Sequence, residues 1–219
     1  MKKANGLFFI KQGSKKKISH DDLTELAKNG DGEALFLLGF EALYYGNHTE
    51  AFRYFELSGK AGYDEAISGL AWLYYTGLGV DQDLKKAFEL ASHAAYDLDV
   101  AEAFSLLGSM YLGGKVCTID EKRGIDLLKI GFMKGDVSFA QLLGKISIGF
   151  LTVYPIDYHM AIYYFEVAYD ECQCNESVPY LCDLYYGRYS KDVKDKVKYM
   201  KWKKIFDKLS PDDYNRNAL

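Results

Sequence analysis

The sequence predicts an all-α protein built from repeated helix–turn–helix units stacked on one another. Three observations predict it. First, residues 62–98 align with residues 99–135 at one constant offset of 37, so that Ala66 meets Ala103, Leu70 meets Leu107, Tyr74 meets Tyr111, Gly77 meets Gly114 and Asp83 meets Asp120. Second, each half of this repeat carries apolar residues at helical spacing, and the β-branched alternation of strands is nearly absent. Third, prolines are scarce, at 3, against 20 glycines. Few prolines leave helices uninterrupted, and glycines serve to end them. Repetition at this period marks stacked supersecondary units, because a lone helix pair cannot bury its apolar face.

Taken in order, residues 1–17 carry six lysines and no acid. Their apolar run, Leu7 to Ile10, is shorter than the ~7–15 residues of a secretory h-region, so a basic, flexible arm is expected. A capping helix should follow it. The first unit is KNGDGEALFLLG (28–39) with AFRYFELSGKAG (51–62), and its connection is four residues shorter than that of the second unit. In the second unit, Ala66, Leu70, Leu73, Tyr74 and Gly77 share one helix face, and Leu84, Ala87, Phe88, Ala91, Ala94 and Ala95 share another. The TGLGVD stretch between them ends one helix and starts the next. Gly77 suits a left-handed C′ position, and Asp81 or Asp83 can cap the following N-terminus. Neither a Walker loop nor a dinucleotide fingerprint is present. The third unit repeats the second. The fourth is FAQLLGKISIG (139–149) with MAIYYFEVAYDE (160–171). A fifth begins near Glu176 and ends in the lysine-rich KVKYMKWKKIFDKL, and a tail is expected at 209–219.

The recurring pattern A-x-A-x3-LG-x2-Y-x2-G-x-GV-x2-D-x2-KA resembles the Sel1-like repeat. It is spelled EAISGLAWLYYTGLGVDQDLKKAF in 65–88 and AEAFSLLGSMYLGGKVCTIDEKRGI in 101–125. The first copy departs at Ala71, where the family has glycine. The second has Lys115 and Val116 at the turn, and the fourth unit has Ser147 near the tyrosine slot. The resemblance spans about residues 18–208. It implies a right-handed α/α solenoid of about five repeats, related to tetratricopeptide arrays and forming a single domain. Such proteins act as binding platforms: adaptors, scaffolds, or immunity proteins that neutralise secreted toxins. The family variant with a disulfide in each repeat is excluded, because the cysteines here are not regularly paired.

A partner would meet residues off the packing stripe of the first helices, which line the concave face of such arrays. One slot followed through the units gives Phe40, Trp72 and Ser109. A second gives Leu43, Tyr75, Leu112, Ile148 and Tyr186, and a third gives Phe36, Ser68 and Ser105. Aromatic anchors in a groove are what a protein-binding hot spot offers. Glu33, Glu65 and Glu102 recur near the start of each first helix. They complement the helix dipole there or ring a groove for a basic partner.

The net charge of −4 hides an uneven distribution, since residues 18–187 carry 26 acids against 11 Lys or Arg, and residues 188–219 carry ten Lys or Arg against five acids. Such a middle repels nucleic acid and attracts a basic protein. No apolar run reaches the ~18 residues of a membrane span. Cys172, Cys174 and Cys182 lack zinc-ligand spacing and read, with Cys117, as free thiols of a reducing compartment. His20, His48, His93 and His159 are scattered, and no catalytic motif is present. A non-enzymatic, cytoplasmic protein-binding module is expected, with no cofactor or metal. The array is expected to make up the whole protein. Its most concrete role is an immunity protein bound to a basic toxin domain, and the alternative is an intracellular adaptor. Nucleic-acid or membrane binding through Lys2–Lys17 and Lys191–Lys208 ranks last, because the acidic middle opposes it.

Overall fold

The computed structural model describes residues 9–10, 17–151 and 153–209. A two-residue antiparallel pairing of β1 (Phe9–Ile10) with β2 (Lys17–Ile18) comes first. Helices follow: α1 (His20–Lys28), α2 (Gly32–Tyr44), α3 (His48–Lys60), α4 (Glu65–Thr76), α5 (Leu84–Tyr96), α6 (Ala101–Gly113), α7 (Glu121–Met133), α8 (Ala140–Ser147), α9 (Tyr158–Cys172), α10 (Ser177–Tyr186) and α11 (Lys196–Phe206). The chain divides into two compact units, one ending at Thr118 and the other starting at Ile119. Helices α1–α6 belong to the first and α7–α11 to the second, and within each unit every helix packs on the next. The arm expected at 1–17 lies outside the described residues apart from 9–10 and 17. The tail expected at 209–219 does so apart from 209.

Repeated caps set the register. Asp83, Asp120, Asp157 and Asp195 precede the second helix of four successive pairs. Their carboxylates accept from the amides of Lys86 (2.9 Å), Arg123 (2.9 Å), Met160 (3.0 Å) and Lys198 (2.9 Å). Each bond satisfies a helix N–H that has no partner in the helix, and each cap contributes about 1 kcal/mol. The amides of three of these aspartates also tie back to the preceding helix: Asp83 to Tyr74 O (3.0 Å), Asp157 to Ser147 O (2.9 Å) and Asp195 to Tyr185 O (2.9 Å). Of the two aspartates that could start α5, it is Asp83 that caps. Gly77 ends α4 at φ 74° and donates to Leu73 O. Gly79, also at φ 74°, lies against the start of α3; a Cβ there would stand 2.3 Å from the His48 carbonyl carbon. The α2–α3 connection is four residues shorter than the α4–α5 one, as expected.

A glycine on the first helix of a pair admits an aromatic ring from the second. A Cβ on Gly39 of α2 would stand 2.5 Å from the Phe55 ring of α3, and one on Gly144 of α8 would stand 2.8 Å from the Phe165 ring of α9. Both rings are fully buried, which stabilises each pair by roughly 1.5–3 kcal/mol. In the second pair the corresponding residues are Ala71 and Ala91, both fully buried. The Ala71 departure is therefore matched by a smaller residue at the ring's position, so the added methyl meets no ring there.

The two described ends of the helical run are sealed differently. Helix α1 starts with a capping box between Ser19 and Asp22 and inserts Leu23 beside Ala34 and Leu38. Helix α11 inserts Trp202, 1% exposed, among Phe165, Leu181 and Leu184. The Tyr185 hydroxyl donates to Glu166 (2.9 Å) and accepts from Lys198 Nζ (3.2 Å), which ties α9, α10 and α11 together. Burial first, and then Glu166, hold the Tyr185 phenol above the usual tyrosine range.

Candidate functional site

Most of the expected contact residues fall in the first unit. Its α2, α4 and α6 are the first helices of three successive pairs. Phe36 and Phe40 stack edge to face on α2 at 4.8 Å, and both contact Phe55 at 5.6 Å. Phe40 is 46% exposed, and Trp72 on α4 is 37% exposed. The Phe55 ring, wedged against Gly39 of α2 and Gly69 of α4, thus supports the exposed Phe40 from beneath. Leu43 and Phe36 are half-buried against the Phe55 core. Tyr75 is half-buried, and its hydroxyl reaches toward Gly113 at the end of α6. Ser109 and Leu112 are half-buried, with Ser109 donating to Leu106 O at 2.7 Å.

Two expected residues leave the set. Ser68 is buried and donates to Glu65 O at 2.8 Å, and Ser105 is fully buried. Their slot faces the interior, and α2 fills it with the half-buried Phe36. Ile148 and Tyr186 belong to the second unit. Ile148 is half-buried on its core, and Tyr186 is exposed with its ring 5.3 Å from Tyr199.

The glutamate row recurs at one place in three successive first helices. Glu33, Glu65 and Glu102 lie in the first turns of α2, α4 and α6. The Tyr63 phenol is pushed up to about 12, by burial first and then by the carboxylates of Glu65, Glu33, Glu102 and Asp31. One tyrosine thus senses acids from three successive first helices. Its ring lies 5.0 Å from Phe36, which joins the acidic row to the aromatic stripe. Charge separates the units as well. Residues 18–118 carry 16 acids against 6 Lys or Arg, whereas residues 119–209 carry 13 against 14.

Three participants were missed from the sequence. Tyr44, 72% exposed, extends the α2 stripe at Phe36, Phe40 and Tyr44, and Tyr45 is exposed beside it with rings 5.3 Å apart. The i, i+4 spacing along one helix was the available signal. Tracing slots between repeats hid it, because Tyr44 aligns with Thr76. Tyr63 sits in a turn and has no periodic signature.

Among the described residues no group of three or more His, Cys, Asp or Glu is arranged to hold a metal. The four cysteines are free, and burial pushes the Cys182 thiol up to about 11. An open hollow of about 400 Å³ beside α5 is lined by Leu84, Phe88, Val116 and Lys115 among others. No helix among the described residues is long and apolar enough to cross a membrane.

The arrangement can hold a macromolecular surface: rigid half-exposed aromatics for apolar contact and carboxylates for basic side chains. Comparison with known proteins agrees with that scale. The Sel1 repeat family model matches residues 32–63, 64–97, 101–136 and 147–171. The first three matches contain the pairs α2–α3, α4–α5 and α6–α7, and the fourth covers α9 up to Glu171. The pair α10–α11 lies beyond the matched residues. A Sel1 repeat protein from Oxalobacter formigenes is 22% identical over 87% of this chain and 78% of its own, with a TM-score of 0.67. A protective antigen of uropathogenic Escherichia coli strains, displaying an SLR fold, is 24% identical over 85% of this chain, with a TM-score of 0.63. This chain spans 40% of that protein's length. At such identities the likeness is one of fold.

Proposed function

The chain belongs to the Sel1 repeat family, whose repeats are protein–protein interaction modules, and from that premise we propose that it binds one basic protein on the first unit, without catalysing a reaction. The observation that carries the reading is the junction at Tyr63, where the Glu33, Glu65 and Glu102 row meets the Phe36–Phe40 stripe. Half-exposed aromatics held by a rigid core lose little entropy on contact, and they make hot spots once water is excluded. The surrounding excess of acid steers a basic partner and speeds association. The most concrete role is that of an immunity protein in the bacterial cytoplasm, neutralising a basic toxin domain. Its four free thiols are compatible with a reducing compartment.

The second reading is an adaptor with several partners. The exposed Met133, Phe150 and Tyr163 of the second unit favour it, since they offer a further apolar surface. Photo-crosslinking in cells separates the two. Copies of this chain aside, a benzoylphenylalanine at position 40 or 72 should capture a single basic protein in one-to-one ratio, and the same probe at position 133 should not. Several unrelated proteins would favour the adaptor. Equal capture from position 133 would contradict the choice of surface.

A further inference from the structure

The outer face of α11 has the character of the partner proposed for the first unit. Lys196, Val197, Met200, Lys201 and Lys204 fall on one side of the helix, and all are exposed. Val197 is 80% exposed and Met200 57%. Neither seals the second unit, because Trp202 does so from the opposite side. Lys198 and Lys203 are engaged elsewhere, with Tyr185 and Asp207. Lys201 Nζ lies 4.8 Å over the Trp202 ring, so what remains outside is an apolar pair flanked by Lys196 and Lys204 with the Lys201 stem beside them. Residues 188–209 carry nine Lys or Arg against three acids, and residues 18–118 carry 16 acids against 6 Lys or Arg. One chain therefore presents two surfaces of opposite sign, each with exposed apolar side chains.

We infer that the outer face of α11 docks on the first unit of a second copy of this chain, with Val197 and Met200 against Phe40 and Trp72 and the lysines opposite the Glu33–Glu65–Glu102 row. The inference rests on the reading that this face accepts a basic protein surface. The contact joins two different patches, so it is heterologous and builds rings or open chains of copies. It also masks the first unit, so that a basic partner must displace α11 before binding.

Sedimentation velocity of the full chain tests this over a concentration series. At about 50 mM salt, species larger than a monomer should grow with concentration, and at about 500 mM the association should weaken at least tenfold. The variant Lys196→Glu/Lys204→Glu changes only exposed side chains outside the Lys201–Trp202 contact and should sediment as a monomer at low salt with an unchanged melting temperature. Mixing it with Glu33→Lys/Glu65→Lys/Glu102→Lys should restore association, because the complementary signs are exchanged. A wild-type chain that stays monomeric at about 300 µM and low salt, where a sub-millimolar contact would be populated, overturns the inference. So does association that ignores the lysine substitutions. Pelleting with phosphatidylserine vesicles in place of self-association also overturns it and assigns the face to an anionic membrane. These failures leave crosslinking from positions 40 and 72 intact, whereas failure of the underlying reading removes that crosslinking as well.

Discussion

The two units share a framework and differ in what they place on it. Both use aspartate caps, and both admit a second-helix phenylalanine beside a first-helix glycine: Gly39 with Phe55 in the first unit, Gly144 with Phe165 in the second. The first unit surrounds that framework with acid and leaves Phe40, Tyr44 and Trp72 outside. The second balances its charge and invests its largest side chain, Trp202, in closure. The framework is thus generic and the surface specific. Framework substitutions should therefore act on stability in either unit, while the loss of partner binding should map to the first.

The largest expected effect is on the closure of the second unit. Trp202→Ala should cost about 3–5 kcal/mol, read as lost amide-exchange protection in α10 and α11 while α3 and α4 stay protected. Equal loss across both units would break the comparison. Next comes the shared packing device. Gly39→Ala forces the Phe55 ring aside and should cost about 1–3 kcal/mol. In combination with Phe55→Ala, which copies the Ala71–Ala91 pair, the double variant should be less destabilised than the sum, with coupling of about 1–2 kcal/mol in denaturant titrations. Additive costs would mean that glycine and ring are not coupled.

Alkaline pH sharpens the contrast. Tyr63 in the first unit and Tyr154, Tyr164, Tyr185 and Tyr189 in the second are raised from 10.0 in the folded protein, each by burial first. Below that value both states hold the phenol proton and pH has no effect through these groups. Above it the unfolded chain deprotonates first, so stability falls as pH rises toward the folded values. The second unit should lose protection earlier and more steeply between about pH 10 and 12. The smallest effects are at the caps and the surface. Asp83→Ala and Asp157→Ala should each cost about 1 kcal/mol in thermal or chemical melts. Trp72→Ala should cost less stability than either packing change while abolishing crosslinking from position 40.

Much of this fold is legible in sequence, because a repeat states each structural requirement several times. Gly77, Asp83 and the short first connection could be read as punctuation, and the alanine face of α5 as packing surface. The aspartate period continues through Asp157 and Asp195, a signal strong enough to fix the fourth and fifth pairs despite their divergent first helices. The surface is less legible. Ser68 and Ser105 look like exposed polar positions, but a helix carbonyl satisfies the Ser68 hydroxyl and lets that serine face inward. Tyr63 could not be found by period, since its importance comes from acids on three helices converging around a turn. The exposure of Val197 and Met200 was equally hidden, because only the structure shows that Trp202, with Tyr199, Ile205 and Phe206, turns inward instead.

The most direct test of the central claim is the association rate of the protein captured from position 72, measured against ionic strength with wild type and with Glu33→Gln/Glu65→Gln/Glu102→Gln. The wild-type rate should fall steeply between low and physiological salt, and the variant should be roughly tenfold slower at low salt with a flattened salt dependence. A wild-type rate insensitive to salt, or a variant indistinguishable from wild type, would contradict the claim.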